Sequence, residues 1–144
     1  VALDWESSQY CHVKAACVGG TFDCLHPGHR LLLTLSSLVC DRLIIGEAIL
    51  YFFNIAYTDE ILQTKKQHEK IASYEQRKQG LIAFLNLVAP KLEVVISPLR
   101  DIYGPSVMEE ELDAIIVSLE TIAGAKLINK VREEKSMKLS LYSQ

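Results

Sequence analysis

The chain has 144 residues, 49% of them hydrophobic, and a formal net charge of -3. A single domain of that length buries roughly 68–70% of its unfolded surface, and the acidic balance argues against a duplex nucleic-acid binder, which is usually basic on one face. No apolar stretch approaches the roughly 20 residues that span a bilayer, and no basic n-region with a cleavage site opens the chain, so the expectation is a soluble, cytoplasmic protein with neither membrane nor nucleic-acid partners. Its first residue is Val rather than Met, which reads as a processed product or a fragment.

Val13 to Gly19 reads as the first strand, and a helix from His29 to Cys40 follows, with Leu31, Leu32, Leu33, Leu35 and Leu38. Between them, Thr21-Phe22-Asp23 is closed by His26-Pro27-Gly28-His29, so a glycine-rich turn and two imidazoles stand where strand becomes helix. A helix N-terminus carries unpaired N–H groups and a positive dipole end, and glycines let a phosphate approach the backbone closely. Taken singly, His26 and His29 would be loop caps and Gly28 a turn residue; taken together they point to an anion site.

Arg42 to Gly46 is the second strand. Glu47 to Tyr57 follows, apolar from Ala48 to Tyr57 except for Asn54, a segment that either covers the crevice, extends the sheet or exposes a sticky patch. Tyr74 to Val88 is a helix with Leu81, Phe84, Leu85 and Val88 on one face, opened by the Ser73/Gln76 spacing of a capping box and closed by Pro90. Leu92 to Ile96 and Ala114 to Ser118 are strands, Thr121 to Lys135 a helix and Met137 to Tyr142 a last strand. This alternation predicts an α/β fold with a Rossmann-like doubly wound parallel sheet, whose ligands bind at the carboxyl ends of the strands. Thr21, His26 and His29 follow the first strand, Lys65 the second, Tyr103 the third and Ser118 to Thr121 the fourth, so all four groups are expected on one rim.

Cys11, Cys17, Cys24 and Cys40 show no CxxC spacing. A zinc reading would gather Cys17, Cys24, His26 and His29, but Cys17 lies in a predicted buried strand; reduced thiols are the favoured reading, and no metal ligands are assigned.

Gly20-Thr21-Phe22-Asp23 with His26-x-Gly28-His29 resembles the signature of the HxGH nucleotidyltransferases. Lys65-Lys66, Tyr74-Glu75-Gln76-Arg77, Asp101-x-Tyr103-Gly104-Pro105-Ser106, and Val117-Ser118-x-Glu120-Thr121 with Gly124 and Asn129 are similar in order to the phosphopantetheine adenylyltransferases of the eukaryotic and archaeal type. The resemblance runs from about Val18 to about Tyr142 and implies a single nucleotidyltransferase-like domain over residues 1–144, shortened at its C-terminus, with an atypical insertion at 47–57. The implied activity is transfer of the adenylyl group from ATP, with Mg2+, to 4′-phosphopantetheine, giving dephospho-coenzyme A and pyrophosphate. Two alternatives stay open: an impaired isoform or fragment, binding without efficient turnover or assembling with a full-length partner, and a cytidylyltransferase of the same superfamily.

The resemblance also assigns roles. His29, assisted by His26, stabilises charge on the triphosphate; Thr21 donates its hydroxyl to the incoming phosphate; Lys65 neutralises charge between the substrates. Gly20, Thr21, Phe22, His26, Gly28, His29 and Asn129 are expected against ATP, and Thr21, Lys65, Tyr103, Ser118, Glu120 and Thr121 against phosphopantetheine. Leu119 stands where the family usually has a charged residue. The family's later Ile-Ser-Ser-x-x-x-Arg motif is absent before Gln144, from which weak binding and slow turnover are expected, unless Lys126, Lys130 or Arg132 supplies phosphate contacts instead.

Overall fold

The computed structural model describes residues 12–48, 71–101, 103–118 and 121–143. In chain order these form β1 (Val13–Gly20), α1 (Pro27–Leu38), β2 (Cys40–Ala48), α2 (Tyr74–Val88), β3 (Glu93–Leu99), β4 (Ala114–Ile116), α3 (Ile122–Glu134) and β5 (Leu141–Ser143), with 3-10 turns at Asp23–Leu25 and Gly104–Val107. All five strands are parallel in one sheet of order β3-β2-β1-β4-β5. This is the α/β Rossmann-like arrangement that the alternating elements predict.

A parallel sheet covered on both faces needs apolar residues on both sides of each strand. Successive residues of β1 and β2 therefore alternate between two cores. Ala16, Val18, Leu43, Ile45, Ala114 and Ile116 pack with Leu33 of α1 and Leu81 and Leu85 of α2. Cys17, Ile44 and Ile115 pack on the opposite face with Leu112 and with Ala125 of α3. Each fully buried leucine or isoleucine here contributes about 1.5–3 kcal/mol relative to exposure.

The boundaries differ from the sequence expectation where local chemistry decides them. α1 starts at Pro27, two residues before His29, because proline's fixed φ suits the first helical position and its missing N–H forfeits no bond there. α2 begins and ends as expected: Ser73 Oγ accepts from the Gln76 N–H at 3.3 Å, and Gln76 Oε1 accepts from the Ser73 N–H at 3.1 Å. β3 continues past Ile96 through Pro98 to Leu99, which an edge strand tolerates. Glu47 and Ala48, read from the sequence as the start of an insertion, are the last residues of β2, with Glu47 registered between Gly20 and Pro98. Residues 49–57, the rest of that segment, lie outside the described residues.

From β1 the chain crosses through α1 to β2 on one side, and it later reaches β4 on the other side of β1. The β1/β4 junction is thus a topological switch point, where parallel sheets open a crevice at the carboxyl ends of their strands. The loops leading to α1 and α3 flank it. Among the described residues no helix is long and apolar enough to cross a membrane.

Candidate active site

The β1–α1 loop departs from ordinary backbone geometry. Phe22 (φ 50°), Cys24 (φ 55°) and Leu25 (φ 31°) all have positive φ. Non-glycine residues held in that region cost of order 1–3 kcal/mol each and persist only where their surroundings impose them. Phe22 contributes part of that imposition, since its side chain is buried in the core of the α1/α2 face. Its ring also lies where a side chain at Gly20 would project: a Cβ there would stand 3.0 Å from Phe22 Cζ.

His26 and His29 sit together at the start of α1. His26 is the N-cap, its Nδ1 accepting from the His29 N–H at 3.4 Å, a long bond. The two imidazoles stack with centroids 3.6 Å apart and 24° between planes, and Phe22 packs on His29 at 5.4 Å. Gly28 leaves the room this requires, because a Cβ would approach the His26 ring to 3.1 Å. His29 is half-buried and titrates below its ordinary value, first because burial disfavours the cation and next because His26 opposes it; Asp23 partly offsets both. A neutral imidazole keeps one N–H to donate. The buried Nδ1 of His29 has no hydrogen-bond partner among the described residues.

Thr21 is half-buried at the end of β1, and Ser118 follows β4, the neighbour of β1. Thr121 occupies the N-cap position of α3, but its hydroxyl makes no bond into the helix. Instead Thr121 Oγ1 accepts from the Ser118 N–H at 3.0 Å and lies 3.1 Å from Ser118 Oγ. Two helix N-termini, those of α1 and α3, therefore open on the same rim, each lined by hydroxyl, imidazole or backbone donors. Such an arrangement suits anionic groups.

Tyr103 lies beyond β3, in a turn shaped by Asp101 Oδ1, which accepts from the N–H groups of Tyr103 (2.9 Å) and Gly104 (2.6 Å). Asn129 is not free at the rim: its Nδ2 donates to the Ser140 carbonyl at 2.8 Å and its Oδ1 accepts from the Ser140 N–H at 3.0 Å, tying α3 to the segment before β5. Arg132 is likewise no phosphate contact. It is fully buried and donates to the carbonyls of Lys138, Ser106, Glu109 and Glu110. Lys126 and Lys130 are exposed on α3. Lys65 and Glu120 lie outside the described residues.

Two residues that the sequence reading did not assign to the site lie directly beneath the loop. Arg77, in the first turn of α2, is 4% exposed and donates through Nη1 to the Thr21 carbonyl (2.6 Å), through Nη2 to that of Ala48 (2.9 Å) and through Nε to that of Ala72 (3.0 Å). Its Nη1 also stands 3.0 Å from Oε1 of the fully buried Glu47. That pair is close in distance but poorly aligned, since neither Glu47 oxygen receives a directed hydrogen bond among the described residues. Burial pushes the Glu47 carboxyl up to about 7, with Arg77 and then Lys78 pulling the other way. Arg77 shares its helix face with Leu81 and Leu85 at four-residue spacing; an arginine on an apolar stripe is the signal that marks it in the sequence.

No protein-family model matches the chain. It is 41% identical over 127 residues to the phosphopantetheine adenylyltransferase of Saccharomyces cerevisiae, aligning 88% of this chain with 38% of the yeast protein. It is 36% identical over 121 residues to the enzyme of that name from Pyrobaculum aerophilum and 37% identical over 125 residues to that from Pyrococcus furiosus; each alignment spans 72% of the archaeal protein. It also superposes on the crystal structure of an Archaeoglobus fulgidus protein of unknown function with a TM-score of 0.66, at 22% identity, covering 91% of this chain and 87% of the other. The last similarity bears on the fold alone.

Proposed function

The chain belongs to the phosphopantetheine adenylyltransferase family, and on that premise we propose that it transfers the adenylyl group of ATP to 4′-phosphopantetheine. A phosphate oxygen of 4′-phosphopantetheine attacks the α-phosphorus of ATP. The new P–O bond forms as the bond to the α,β-bridging oxygen breaks, and pyrophosphate carries that electron pair away, leaving dephospho-coenzyme A. The nucleophile is already anionic, so no strong general base is needed. The protein's task is to hold two polyanions in line and to stabilise charge in the transition state.

In this reading His29 donates to the phosphate that gains charge and His26 assists on the triphosphate. Thr21 donates its hydroxyl to the incoming phosphate, and Lys65 neutralises the charge between the substrates. Gly20, Phe22 and Gly28 shape the nucleotide side of the crevice, while Tyr103, Ser118, Glu120 and Thr121 contact the pantetheine side. Mg2+ would come with ATP rather than reside on the protein, offsetting charge on the triphosphate; among the described residues no group of three or more His, Cys, Asp or Glu side chains could hold a metal ion. The free thiols of Cys17, Cys24 and Cys40 suit a reducing compartment, and we place the chain in the cytoplasm.

The observation that carries the reading is the stacked His26–His29 pair over the N-terminus of α1, beside a loop held in left-handed geometry. The test is to incubate the protein with 4′-phosphopantetheine and either ATP or CTP, and to identify the products by mass. Dephospho-coenzyme A from ATP supports the proposal. A cytidylyl product, or binding of both substrates with no product, refutes it.

A further inference from the structure

We propose that Arg77 is a positioning residue for the transfer: with the Asp23–Ala72 contact, it holds the Thr21–His26 loop in the left-handed geometry that carries Thr21 and His29 to the phosphates. The inference rests on the transferase reading above.

Three observations converge on it. One guanidinium bonds three carbonyls that belong to three separate segments: Thr21 after β1, Ala48 at the end of β2, and Ala72 ahead of α2. Arginine's rigid planar fork can do this where lysine, a single point of charge, cannot. The lead-in to α2 then holds the loop a second time, because the Ala72 N–H donates to Asp23 Oδ1 at 3.2 Å. The loop is thus held on both sides of Phe22, the first of its three residues at positive φ. A backbone that costs several kcal/mol to hold relaxes when its supports are removed. Thr21 and the start of α1 are attached to that backbone, so relaxation would misplace the donors to the phosphates.

Misplaced donors lose transition-state stabilisation more than ground-state binding. Arg77→Lys keeps a cation beside Glu47 but loses the fork. It should lower kcat per folded molecule by about 10-fold or more while leaving the KM for ATP within about threefold. Hydrogen exchange gives a second readout that needs no turnover: the amides of Phe22 to Leu25 should exchange at least about 10-fold faster, with those of β1 and β2 unchanged. Asp23→Ala, which removes the outer contact without disturbing the buried pair, should move both readouts in the same direction by less. Unchanged loop exchange and unchanged kcat in both variants would overturn the proposal. So would equal acceleration across the whole sheet, or a change confined to KM, either of which marks Arg77 as a general structural residue. A wild-type chain that turns nothing over would count against the transferase reading itself, and loop exchange in the variants would still decide whether Arg77 holds the loop.

Discussion

The His26 and His29 rings stack 3.6 Å apart, 24° from parallel, and this contact links the charge state of the site to its geometry. Two stacked imidazoles cannot both become cations cheaply, and burial already disfavours the cation on His29. His29 is therefore held toward its neutral form, and on the proposed function a bound polyanion would draw it toward the charged one.

Acid should weaken the fold through this residue. His29 titrates lower in the folded protein than the ordinary 6.5 expected for the unfolded chain, so the unfolded chain binds the proton more readily. Its contribution is present above 6.5 and is lost as pH falls through the depressed folded value. Thermal unfolding at pH 7 and pH 5 should show a larger drop for the wild type than for His29→Asn. Equal drops would show that the imidazole does not sense the fold.

Glu47 predicts the opposite trend. Its carboxyl is raised to about 7 against a usual 4.5, so the folded state holds its proton more tightly and stability is lost as pH rises through that interval. Because the protonated acid is favoured even with Arg77 beside it, Glu47→Gln mimics the preferred form. The variant should be more stable than wild type at pH 8, by about 3 kcal/mol, with the gain vanishing near pH 4.5. Denaturant unfolding at the two pH values checks this; a variant less stable at pH 8 would show that the ion pair outweighs its desolvation.

Gly20→Ala tests the packing of the loop. Gly20 has an ordinary backbone, but an added Cβ would press on the Phe22 ring at 3.0–3.1 Å, and Phe22 packs on His29. We expect activity to fall by about 10-fold or more with a stability loss of about 1–3 kcal/mol. Gly124→Ala is the contrast: a Cβ there meets nothing within 4 Å, and alanine should raise stability by about 0.5–1 kcal/mol. Thermal melts and initial rates on both variants decide the matter; unchanged activity in Gly20→Ala would free the Phe22 ring from any role in placing His29.

Arg132→Met should destabilise the fold by about 3 kcal/mol or more, because it leaves four backbone carbonyls without their donor in a buried site. The measurement is the unfolding free energy. A stable variant with selectively weakened ATP binding would instead restore Arg132 as a phosphate contact.

The fold was legible wherever local chemistry repeats or is capped. Apolar runs marked the buried parallel strands, and the Ser73/Gln76 pair marked the start of α2. The meeting of Thr21, His26, Gly28 and His29 in one loop was legible because they lie within nine residues of one another. The Arg77–Glu47 pair was hidden, because its partners are separated by 30 positions and meet only when β2 and α2 pack. The alternative use of the Thr121 hydroxyl was hidden for a related reason: a cap position is readable from residue type, whereas the competing bond to Ser118 depends on how the chain turns between them. Asn129 reads as a polar residue on a helix until Ser140 folds back onto it.

The most direct test of the account is pyrophosphate release by His29→Ala, measured with MgATP and 4′-phosphopantetheine beside the wild-type chain and with thermal stability recorded for both. Wild-type release that depends on both substrates, falling by about 10² or more in the variant while the melting temperature holds, is the predicted result. An unaltered rate per folded molecule, or a loss fully explained by unfolding, would contradict it and make the imidazole structural.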